Sequence, residues 1–392
     1  MKKIAIVNQR YGAEVNGGSE QYAKMLAEHL SEHYEVTILT TTAKDYDTWD
    51  NYYPVGVEMN PQFKIIRFPV AKTRNIRRFR VINKLRRMLG RCLDSAWVRQ
   101  QGPYAPELTA YIREQRETYD GFLFVTYLYY PVVCGLPDVA DKAILIPTAH
   151  DEPYIYFPIY KKIFTNNKGI VYLTEEEKNF VESLFMNQDI PNEVVGAGIE
   201  IPEEYQDDNN IQQAIVKYSV HKPYVIYAGR IDVGKNCDEM FQYFEKYKEN
   251  NPDSELELVL IGQSMIAIPE RTDIHYLGFV PEKDKYALLA GAKCLWMPSR
   301  YESLSIALLE GMGLGVPGIV NGRCEVLKGH CEKSGGAVYY TNYEEFEECV
   351  DKTVKCSPDQ YNKMSVCARK YVEENYHWDI VMDKLQGLIE RI

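Results

Sequence analysis

Two positively charged side chains follow an apolar run in the second half of the chain. Residues 227–235 read YAGRIDVGK, which puts Arg230 and Lys235 directly after a predicted strand. Open α/β sheets bind ligands at the carboxyl ends of their strands. A guanidinium and an ammonium together suit a diphosphate whose negative charge grows as the bond to it breaks. Without further motifs, the same two charges would be interpreted as solvated surface residues.

Two carboxylates lie eight positions apart in residues 301–311, YESLSIALLEG. Eight residues make a little over two helical turns, so in a continuous helix Glu302 and Glu310 would lie near one side and about 12 Å apart. At this distance, one carboxylate could accept hydrogen bonds from a sugar and the other from a ribose of the same bound ligand. The amides from Ser303 to Ile306 would form a helix N-terminus that can hold a hydroxyl or a phosphate oxygen. Taken alone, the pair would indicate an amphipathic helix with two exposed acids.

A glycine-containing loop follows the first predicted strand and opens the first predicted helix. Residues 16–20 read NGGSE. Glycine lets backbone amides approach an anion at the positive end of a helix. A plain tight turn with a helix cap is an equally good interpretation of this loop alone. The segment is not a G-x-G-x-x-G, so it does not support a nicotinamide-binding fingerprint.

The elements that position these residues follow a βαβ rhythm, which predicts an α/β protein with parallel sheets. In the first half the predicted strands are Lys3–Asn8, Glu35–Thr40, Lys64–Phe68, Gly121–Val125, Ala143–Ile146 and Gly169–Tyr172, with helices that include Ser19–Glu32 and Thr174–Leu184. In the second half they are Tyr224–Ala228, Leu256–Ile261, His275–Gly278, Cys294–Met297 and Pro317–Val320. The helices predicted there are Cys237–Tyr247, Glu282–Ala290, Ile306–Leu314, Pro358–Tyr376 and Trp378–Ile392.

The rhythm occurs twice, and a length of 392 residues favours two cores. A polar, irregular stretch after Gly196 marks the boundary between them. We therefore predict an N-terminal domain over 1–200 and a C-terminal domain over 201–376. A final helix over about 377–392 has no strand to pair with and can pack back on the first domain.

Together these blocks resemble retaining glycosyltransferase family 4, in order and in spacing: the glycine loop at 17–20, the Gly-Arg-x4-Lys block at 229–235 and the Glu-x7-Glu block at 302–310. The resemblance implies the GT-B fold, in which the parallel sheets of two Rossmann-like domains face a central cleft. It also implies an acceptor-side first domain and a second domain that binds a nucleotide-sugar donor.

The resemblance assigns a role to each matched residue. Arg230 and Lys235 would hold the donor diphosphate, Glu310 the ribose hydroxyls, and Glu302 with the amides after it the hydroxyls of the transferred sugar. The glycines would leave room for the donor. The donor-binding residues implied in this way are Gly17, Gly18, Arg230, Lys235, Glu302, Ser303, Leu304, Ser305 and Glu310.

His150, in the segment PTAHD at 147–151, matches a family position at the end of a first-domain strand, where it would face the donor sugar. A single histidine is more often structural than catalytic, and only the family match favours the catalytic role. The family is usually explained by front-side attack without a protein nucleophile, so the implied catalytic set is His150, Glu302, Arg230 and Lys235. The sequence departs from the commonest family form at Asn236, Ser303 and Ser305, where glycine is frequent.

No cofactor and no metal are expected. The Asp-x-Asp segment of the chain, Asp45-Tyr46-Asp47, lies in a polar stretch. A different transferase fold would use such a pair to hold manganese, but the double βαβ pattern argues against that fold. We interpret the segment as a solvated loop.

A basic segment interrupts an otherwise acidic chain. Residues 72–91 contain nine lysines and arginines, and no acidic residue follows until Asp94. Apolar residues recur there at three- and four-residue steps from Ile76 to Leu89, as in helices that lie on anionic membranes. We hypothesise that this helix docks the first domain on the inner leaflet to meet its acceptor; equally, the stripe could pack on the domain itself. The cations concerned are Arg77, Arg78, Arg80, Lys84, Arg86 and Arg87.

The bulk composition excludes several classes. A net charge of -11 argues against nucleic-acid binding. The apolar run at the start is short and lacks a cleavage site, so it predicts a first strand rather than a signal peptide. No stretch approaches the roughly 20 apolar residues that span a bilayer. Nine scattered cysteines without a Cys-x-x-Cys pair indicate reduced thiols in the cytoplasm, with membrane contact limited to the periphery.

The sequence thus predicts a metal-independent, retaining glycosyltransferase that moves a sugar from a nucleotide diphosphate sugar to a glycan or lipid-linked acceptor, in cell-surface polysaccharide synthesis. Two other classes stay open. One is a GT-B-fold sugar-nucleotide epimerase or phosphorylase, which the Glu-x7-Glu block with Arg230 and Lys235 disfavours. The other is a donor-binding subunit of a heteromeric transferase, which the complete donor set disfavours.

Overall fold

The computed structural model describes residues 1–15, 17–202, 205, 207–220 and 223–391, and leaves out the side chains of 87–91. Asn16 of the glycine loop and the side chain of Arg87 therefore lie outside the described part. The chain forms two compact units, one of residues 1–196 with 381–392 and one of residues 197–380. The first unit ends four residues before the predicted domain boundary at 200.

The first unit is built on an eight-stranded sheet in the order β3-β4-β2-β1-β5-β6-β7-β8. Its strands are β1 Lys3–Val7, β2 Glu35–Thr41, β3 Gly56–Met59, β4 Lys64–Phe68, β5 Gly121–Val125, β6 Ala143–Ile146, β7 Gly169–Tyr172 and β8 Asn192–Val194. The edge strand β3 runs antiparallel to β4, and the other paired strands are parallel. Strands β5 to β7 are almost wholly apolar because helices cover both faces of a parallel sheet.

The first unit has seven helices among its described residues before residue 197, besides two short 3-10 turns at Gly90–Leu93 and Leu136–Lys142. They are α1 Gly18–Leu30, α2 Ile76–Leu89, α3 Asp94–Gln101, α4 Pro106–Glu114, α5 Tyr130–Gly135, α6 Pro158–Thr165 and α7 Glu175–Phe185. Helix α7 is capped at its start, because the Thr174 hydroxyl accepts a hydrogen bond from the Glu177 amide.

The second unit is built on a six-stranded parallel sheet in the order β11-β10-β9-β12-β13-β14. Its strands are β9 Tyr224–Ala228, β10 Glu257–Ile261, β11 Ile274–Gly278, β12 Cys294–Met297, β13 Gly318–Asn321 and β14 Ala337–Tyr340. The helices of the second unit are α8 Asp208–Lys217, α9 Cys237–Asn250, α10 Glu282–Gly291, α11 Ile306–Gly313, α12 Glu325–Ser334, α13 Tyr343–Val354 and α14 Pro358–Tyr376. A last helix, α15 Trp378–Arg391, begins in the second unit and ends in the first.

The C-terminal part of α15 belongs to the first unit. There Glu390 pairs with Lys2 at 2.8 Å and Arg391 pairs with Glu193 at 2.9 Å. These are exposed ion pairs, which contribute little each. Leu385 and Leu388 are fully buried and supply the apolar side of the helix.

The prediction of two parallel-sheet α/β halves is confirmed, and each predicted strand is found within one residue at either end. The sequence reading missed β3, β8 and β14. Strand β3 has one half-buried and three exposed residues, and β8 has three half-buried residues, two of them polar. These strands are short and bury few apolar side chains, so their sequences show no clear alternation. They form because they pair with a neighbouring strand.

Candidate active site

The second unit carries its candidate site where its strand order reverses. From β9 the chain adds β10 and β11 on one side of the sheet, and then returns to place β12 against β9. Ligands of open α/β sheets bind at such switch points, outside the carboxyl ends of the two strands. The segment after β9 holds Arg230 and Lys235, and the segment after β12 holds Glu302. The fold therefore brings the two predicted blocks to one edge.

The loop after β9 is fixed by its own hydrogen bonds. The Tyr227 hydroxyl donates to the Arg230 carbonyl at 2.7 Å, and burial keeps the pKa of Tyr227 well above its usual range, so it stays a donor. The Asp232 carboxylate accepts from the Lys235 amide at 2.7 Å and also pairs with the Arg230 guanidinium. A methyl group on Gly262 would lie 2.1 Å from the Gly229 carbonyl, so glycine is required beside this loop. The Arg230 and Lys235 side chains thus start from a rigid turn.

Lys235 and Glu302, predicted separately, meet in the structure. The Lys235 ammonium lies 2.6 Å from the Glu302 carboxylate, whose side chain is only 12% exposed. The two charges form a direct ion pair. An incoming phosphate oxygen would replace the carboxylate on the ammonium and leave Glu302 able to accept from a hydroxyl.

Glu310, on α11, is held by two side chains of α10. The Lys285 ammonium lies 2.8 Å from its carboxylate, and the Tyr286 hydroxyl donates to the same oxygen at 2.9 Å. Burial and the nearby Glu310 charge raise the pKa of Tyr286 far above its usual range, so the hydroxyl stays protonated. The sequence analysis missed Lys285 and Tyr286, because an adjacent lysine and tyrosine within a helix form no recognisable motif.

Two of the three departures from the pattern of the family that the sequence resembles, Asn236 and Ser305, fall on unusual backbone. Asn236 and Ser305, which precede α9 and α11, have φ angles of 61° and 74°. Glycine takes this left-handed conformation freely and asparagine tolerates it, whereas another residue loses about 1–2 kcal/mol. Helix α11 begins only at Ile306, so Glu302 lies outside it and the 12 Å estimate for a continuous helix does not apply. Ser305 is therefore a strained residue in the predicted donor loop.

The first unit has a second switch point, between β1 and β5. The glycine loop follows β1, and α1 begins at Gly18. A methyl group on Gly17 would lie 2.2 Å from the Glu20 carboxylate, whereas Gly18 has open space around it. Glu20 is buried and accepts from the Arg10 guanidinium at 2.8 Å, forming an ion pair that the sequence analysis missed. Gly17 is therefore required by this buried pair, and the donor-binding role of both glycines stays a prediction.

His150 follows β6 at the same edge of the first unit. Its Nε2 lies 3.9 Å from the Glu152 carboxylate, which accepts from the Tyr127 hydroxyl at 2.6 Å. The preceding Ala149 amide donates to Glu177, and burial raises the pKa of that carboxyl to about 8. The turn is thus held by buried groups, and its place beside a donor sugar stays a prediction.

The basic segment forms α2, and its described cations differ in their exposure to solvent. Arg77, Arg78, Arg80 and Lys84 are exposed, as the hypothesis of a basic surface requires. Arg86 is 4% exposed, pairs with Asp94 and lies 3.4 Å from the centre of the Phe157 ring. The prediction that Arg86 faces a membrane or an acceptor is wrong, because its position on the helix turns inward.

The apolar residues of α2 also differ in their exposure. Phe79 and Ile82 pack against the core of the first unit, whereas Ile76 and Leu85 are exposed. The alternative in which the stripe packs on the domain therefore holds for two of its four described residues, and the side chain of Leu89 lies outside the described part. Among the described residues, no helix is long and apolar enough to cross a membrane.

The Asp-x-Asp segment forms a turn. The Asp45 carboxylate accepts from the Asp47 amide at 3.0 Å and from the Thr48 amide at 2.7 Å. Within the described ranges, no group of three or more histidine, cysteine, aspartate or glutamate side chains is arranged to hold a metal ion. Asp45 thus caps a loop through backbone bonds.

Comparison with known proteins gives these residues a context. Residues 208–371 match the family model described as "Glycosyl transferases group 1". "Glycosyltransferase 1 domain-containing protein 1" of Xenopus tropicalis is 24% identical over 160 residues, which are 38% of this chain and 44% of that protein. The match thus spans less than half of that relative. Arg230, Lys235, Glu302 and Glu310 all lie inside the family-matched segment.

Two solved structures are similar over nearly the whole chain. HepE of Anabaena, in complex with UDP and glucose, superposes with a TM-score of 0.72 at 11% identity and covers 100% of each chain. WaaG, a glycosyltransferase involved in lipopolysaccharide biosynthesis, superposes with a TM-score of 0.68 at 14% identity, covering 97% of this chain and 98% of its own. The fold of this chain is therefore that of the GT-B glycosyltransferases.

Proposed function

We propose that this chain, which has the GT-B fold of the group 1 glycosyltransferases, is a retaining enzyme of family 4 that transfers a sugar from a nucleotide diphosphate sugar. One observation carries the proposal. Two cations and two carboxylates of the predicted donor set lie in the family-matched segment, and Lys235 and Glu302 meet there at 2.6 Å beside the switch point of the sheet.

The chemistry assigned to the cations is stabilisation of the departing diphosphate. As the bond to the sugar breaks, negative charge grows on the phosphate oxygens, and a fixed guanidinium with an ammonium stabilises that charge in place. Arg230 and Lys235 start from a turn held by Asp232 and Tyr227, so the backbone that carries the two cations is already fixed. We assign no metal to this step.

The carboxylates would orient the donor. Glu302 leaves its ion pair with Lys235 when phosphate binds and then accepts from a sugar hydroxyl. Glu310, held by Lys285 and Tyr286, accepts from the ribose hydroxyls. On the first unit, His150 contacts the sugar, and retention follows from front-side attack without a protein nucleophile.

We also propose the chemical classes of the donor and of the acceptor. The HepE complex contains UDP and glucose, so UDP-sugars are the first donors to test. The acceptor is proposed to be a glycan or a lipid-linked sugar of cell-surface polysaccharide synthesis, met at the cytoplasmic face of the membrane. The similarity to WaaG and the exposed cations of α2 support this choice.

Donor turnover tests the central proposal. The protein is incubated with a panel of nucleotide sugars and candidate acceptors, and release of the nucleoside diphosphate is followed together with the anomeric configuration of the product by NMR. Lys235→Ala should lower kcat/KM by about 10²–10³-fold. Lys246→Ala removes an exposed charge from α9 in the same unit and is the matched control. Free epimerised sugar nucleotide without acceptor would contradict transfer, and an inverted product would contradict retention.

Membrane docking has a separate test. Vesicles containing anionic lipid should carry the protein upward in a density gradient, whereas neutral vesicles should not. Replacement of Arg77, Arg80 and Lys84 by glutamate should abolish flotation, with about 1 kcal/mol lost per removed cation near the surface. Equal flotation with anionic and neutral lipid would refute the docking role.

A further inference from the structure

We propose that His330 is a positioning residue for the donor loop of the second unit, an inference that rests on the proposed function. His330 lies on α12 and is 2% exposed. Its Nε2 lies 2.8 Å from the Leu304 carbonyl oxygen, in the loop that runs from Glu302 into α11. Its Nδ1 lies 3.0 Å from the Tyr371 hydroxyl. The buried side chain of His330 thus connects α12 and α14 directly to the loop.

The partners determine the tautomer of His330. A carbonyl oxygen can only accept, so Nε2 carries the proton and donates. In the neutral imidazole Nδ1 then accepts from the Tyr371 hydroxyl. Tyr371 lies 3.3 Å from the hydroxyl of Tyr376, and both rings contact the imidazole edge-on. The histidine is therefore held by α14 at a fixed angle, rather than free to rotate with the loop.

The bond to Leu304 decides which way the next amide points. In a trans peptide the carbonyl and the following N–H point in opposite directions. Because the Leu304 carbonyl faces His330, the Ser305 N–H faces away from α12. That N–H precedes the first turn of α11, where backbone donors have no partner within the helix. His330 therefore orients one of the amides assigned to the donor.

The same bond offsets the strain at Ser305. A serine at φ 74° is strained relative to a relaxed backbone, because its side chain approaches the following carbonyl oxygen. Such a conformation persists only when its surroundings hold it. If His330 supplies that constraint, a glycine at 305, which needs no constraint, makes the histidine less important. The two positions should then be coupled, as residues that share one network are.

Four variants test the inference by steady-state kinetics: His330→Phe, His330→Gln, Ser305→Gly and the double variant His330→Phe/Ser305→Gly. His330→Phe keeps the ring shape and loses the donor, and should lower kcat by about 10–100-fold through a misplaced loop. His330→Gln presents an amide donor near the Nε2 position and should retain kcat within about 10-fold. Relative to Ser305→Gly, the double variant should lose less than about 5-fold.

Equal loss of kcat from His330→Phe in both backgrounds would overturn the inference, since a purely structural role for the histidine would not depend on residue 305. So would a loss confined to protein stability, with kcat and KM of the folded fraction unchanged. If His330→Phe does not fold, Tyr371→Phe replaces it. That variant removes only the hydroxyl at Nδ1, and should lower kcat by about 2–10-fold.

Hydrogen exchange separates this inference from the proposed function. If the wild type transfers no sugar from any donor, the proposed function fails, but the positioning of the loop can still be measured. Amides of residues 303–309 should exchange faster in His330→Phe than in the wild type, with protection restored in His330→Gln. Unchanged exchange in His330→Phe would overturn the role of His330 whatever the activity.

Discussion

The buried carboxyl of Glu177 should make the stability of the first unit depend on pH. It is fully buried and accepts hydrogen bonds from the Leu173 amide at 2.6 Å and from the Ala149 amide. Burial raises its pKa from 4.5 to about 8. The unfolded chain releases this proton near pH 4.5, whereas the folded chain keeps it up to about pH 8. Unfolding therefore releases a proton in this window, and the free energy of unfolding falls as the pH rises.

The magnitude follows from the size of the pKa shift. Each pH unit between the two pKa values costs about 1.4 kcal/mol. The contribution of Glu177 should thus fall by about 3 kcal/mol between pH 5 and pH 7, and level off above about pH 8. Glu177→Gln removes the titration but leaves one backbone amide without its acceptor, a constant cost of about 1–3 kcal/mol. The variant should have a lower free energy of unfolding than the wild type at pH 5, and this difference should shrink as the pH rises.

Urea unfolding at a series of pH values measures this difference. Trp49 and Trp97 are buried in the first unit and report on it by fluorescence. Glu175→Gln is the matched control, because Glu175 lies on the exposed side of the same helical turn. A difference between Glu177→Gln and the wild type that stays constant from pH 5 to pH 8 would refute the raised pKa.

Three further predictions follow from the same structure. Ser305→Gly should raise the free energy of unfolding by about 1 kcal/mol by relieving the left-handed serine, and an unchanged melting temperature would contradict the strain. Arg86→Met should destabilise the protein by about 3–5 kcal/mol in urea unfolding, because it removes a buried guanidinium and leaves the mostly buried Asp94 carboxylate without its partner. Arg80→Met, on the exposed face of the same helix, should change stability by less than about 0.5 kcal/mol. Glu302→Gln should lower kcat more than it raises the donor KM, and a pure KM effect would contradict contact with the transferred sugar.

Local sequence patterns were enough to predict eleven of the fourteen strands that the structure describes. The alternation of apolar runs with amphipathic segments records burial directly, so β1, β9 and β12 were found within one residue. Motif spacing likewise predicted that Arg230 and Lys235 follow a strand. What local pattern could not give is the partner of each charge, because partners such as Lys235 and Glu302 are 67 positions apart in the chain.

Arg86 shows where charge patterning misleads. Its neighbours in sequence include other cations, and charge alone does not distinguish it from them. Its position on the helix turns it inward, where Asp94 and the Phe157 ring hold the guanidinium. A buried arginine needs such partners, and they are visible only once the fold has formed.

The sequence analysis also missed the residues that contact the candidate site from neighbouring helices. His330, Lys285 and Tyr286 act through side chains that reach the site from other helices, without a motif of their own. Ser305 did carry a signal, since the family often has glycine there. Its φ angle gives that substitution a physical meaning, because the position requires a left-handed backbone.

Donor binding at the switch point of the second unit is tested most directly by a thermal-shift panel of nucleoside diphosphates and their sugars, on the wild type and on Glu310→Ala. A ligand at 100 times its Kd stabilises the folded protein by about 2.7 kcal/mol. We predict a rise in melting temperature with one class of base, reduced or lost in Glu310→Ala. The absence of any shift at millimolar nucleotide would contradict the donor site and leave the chain with the fold but without the proposed activity.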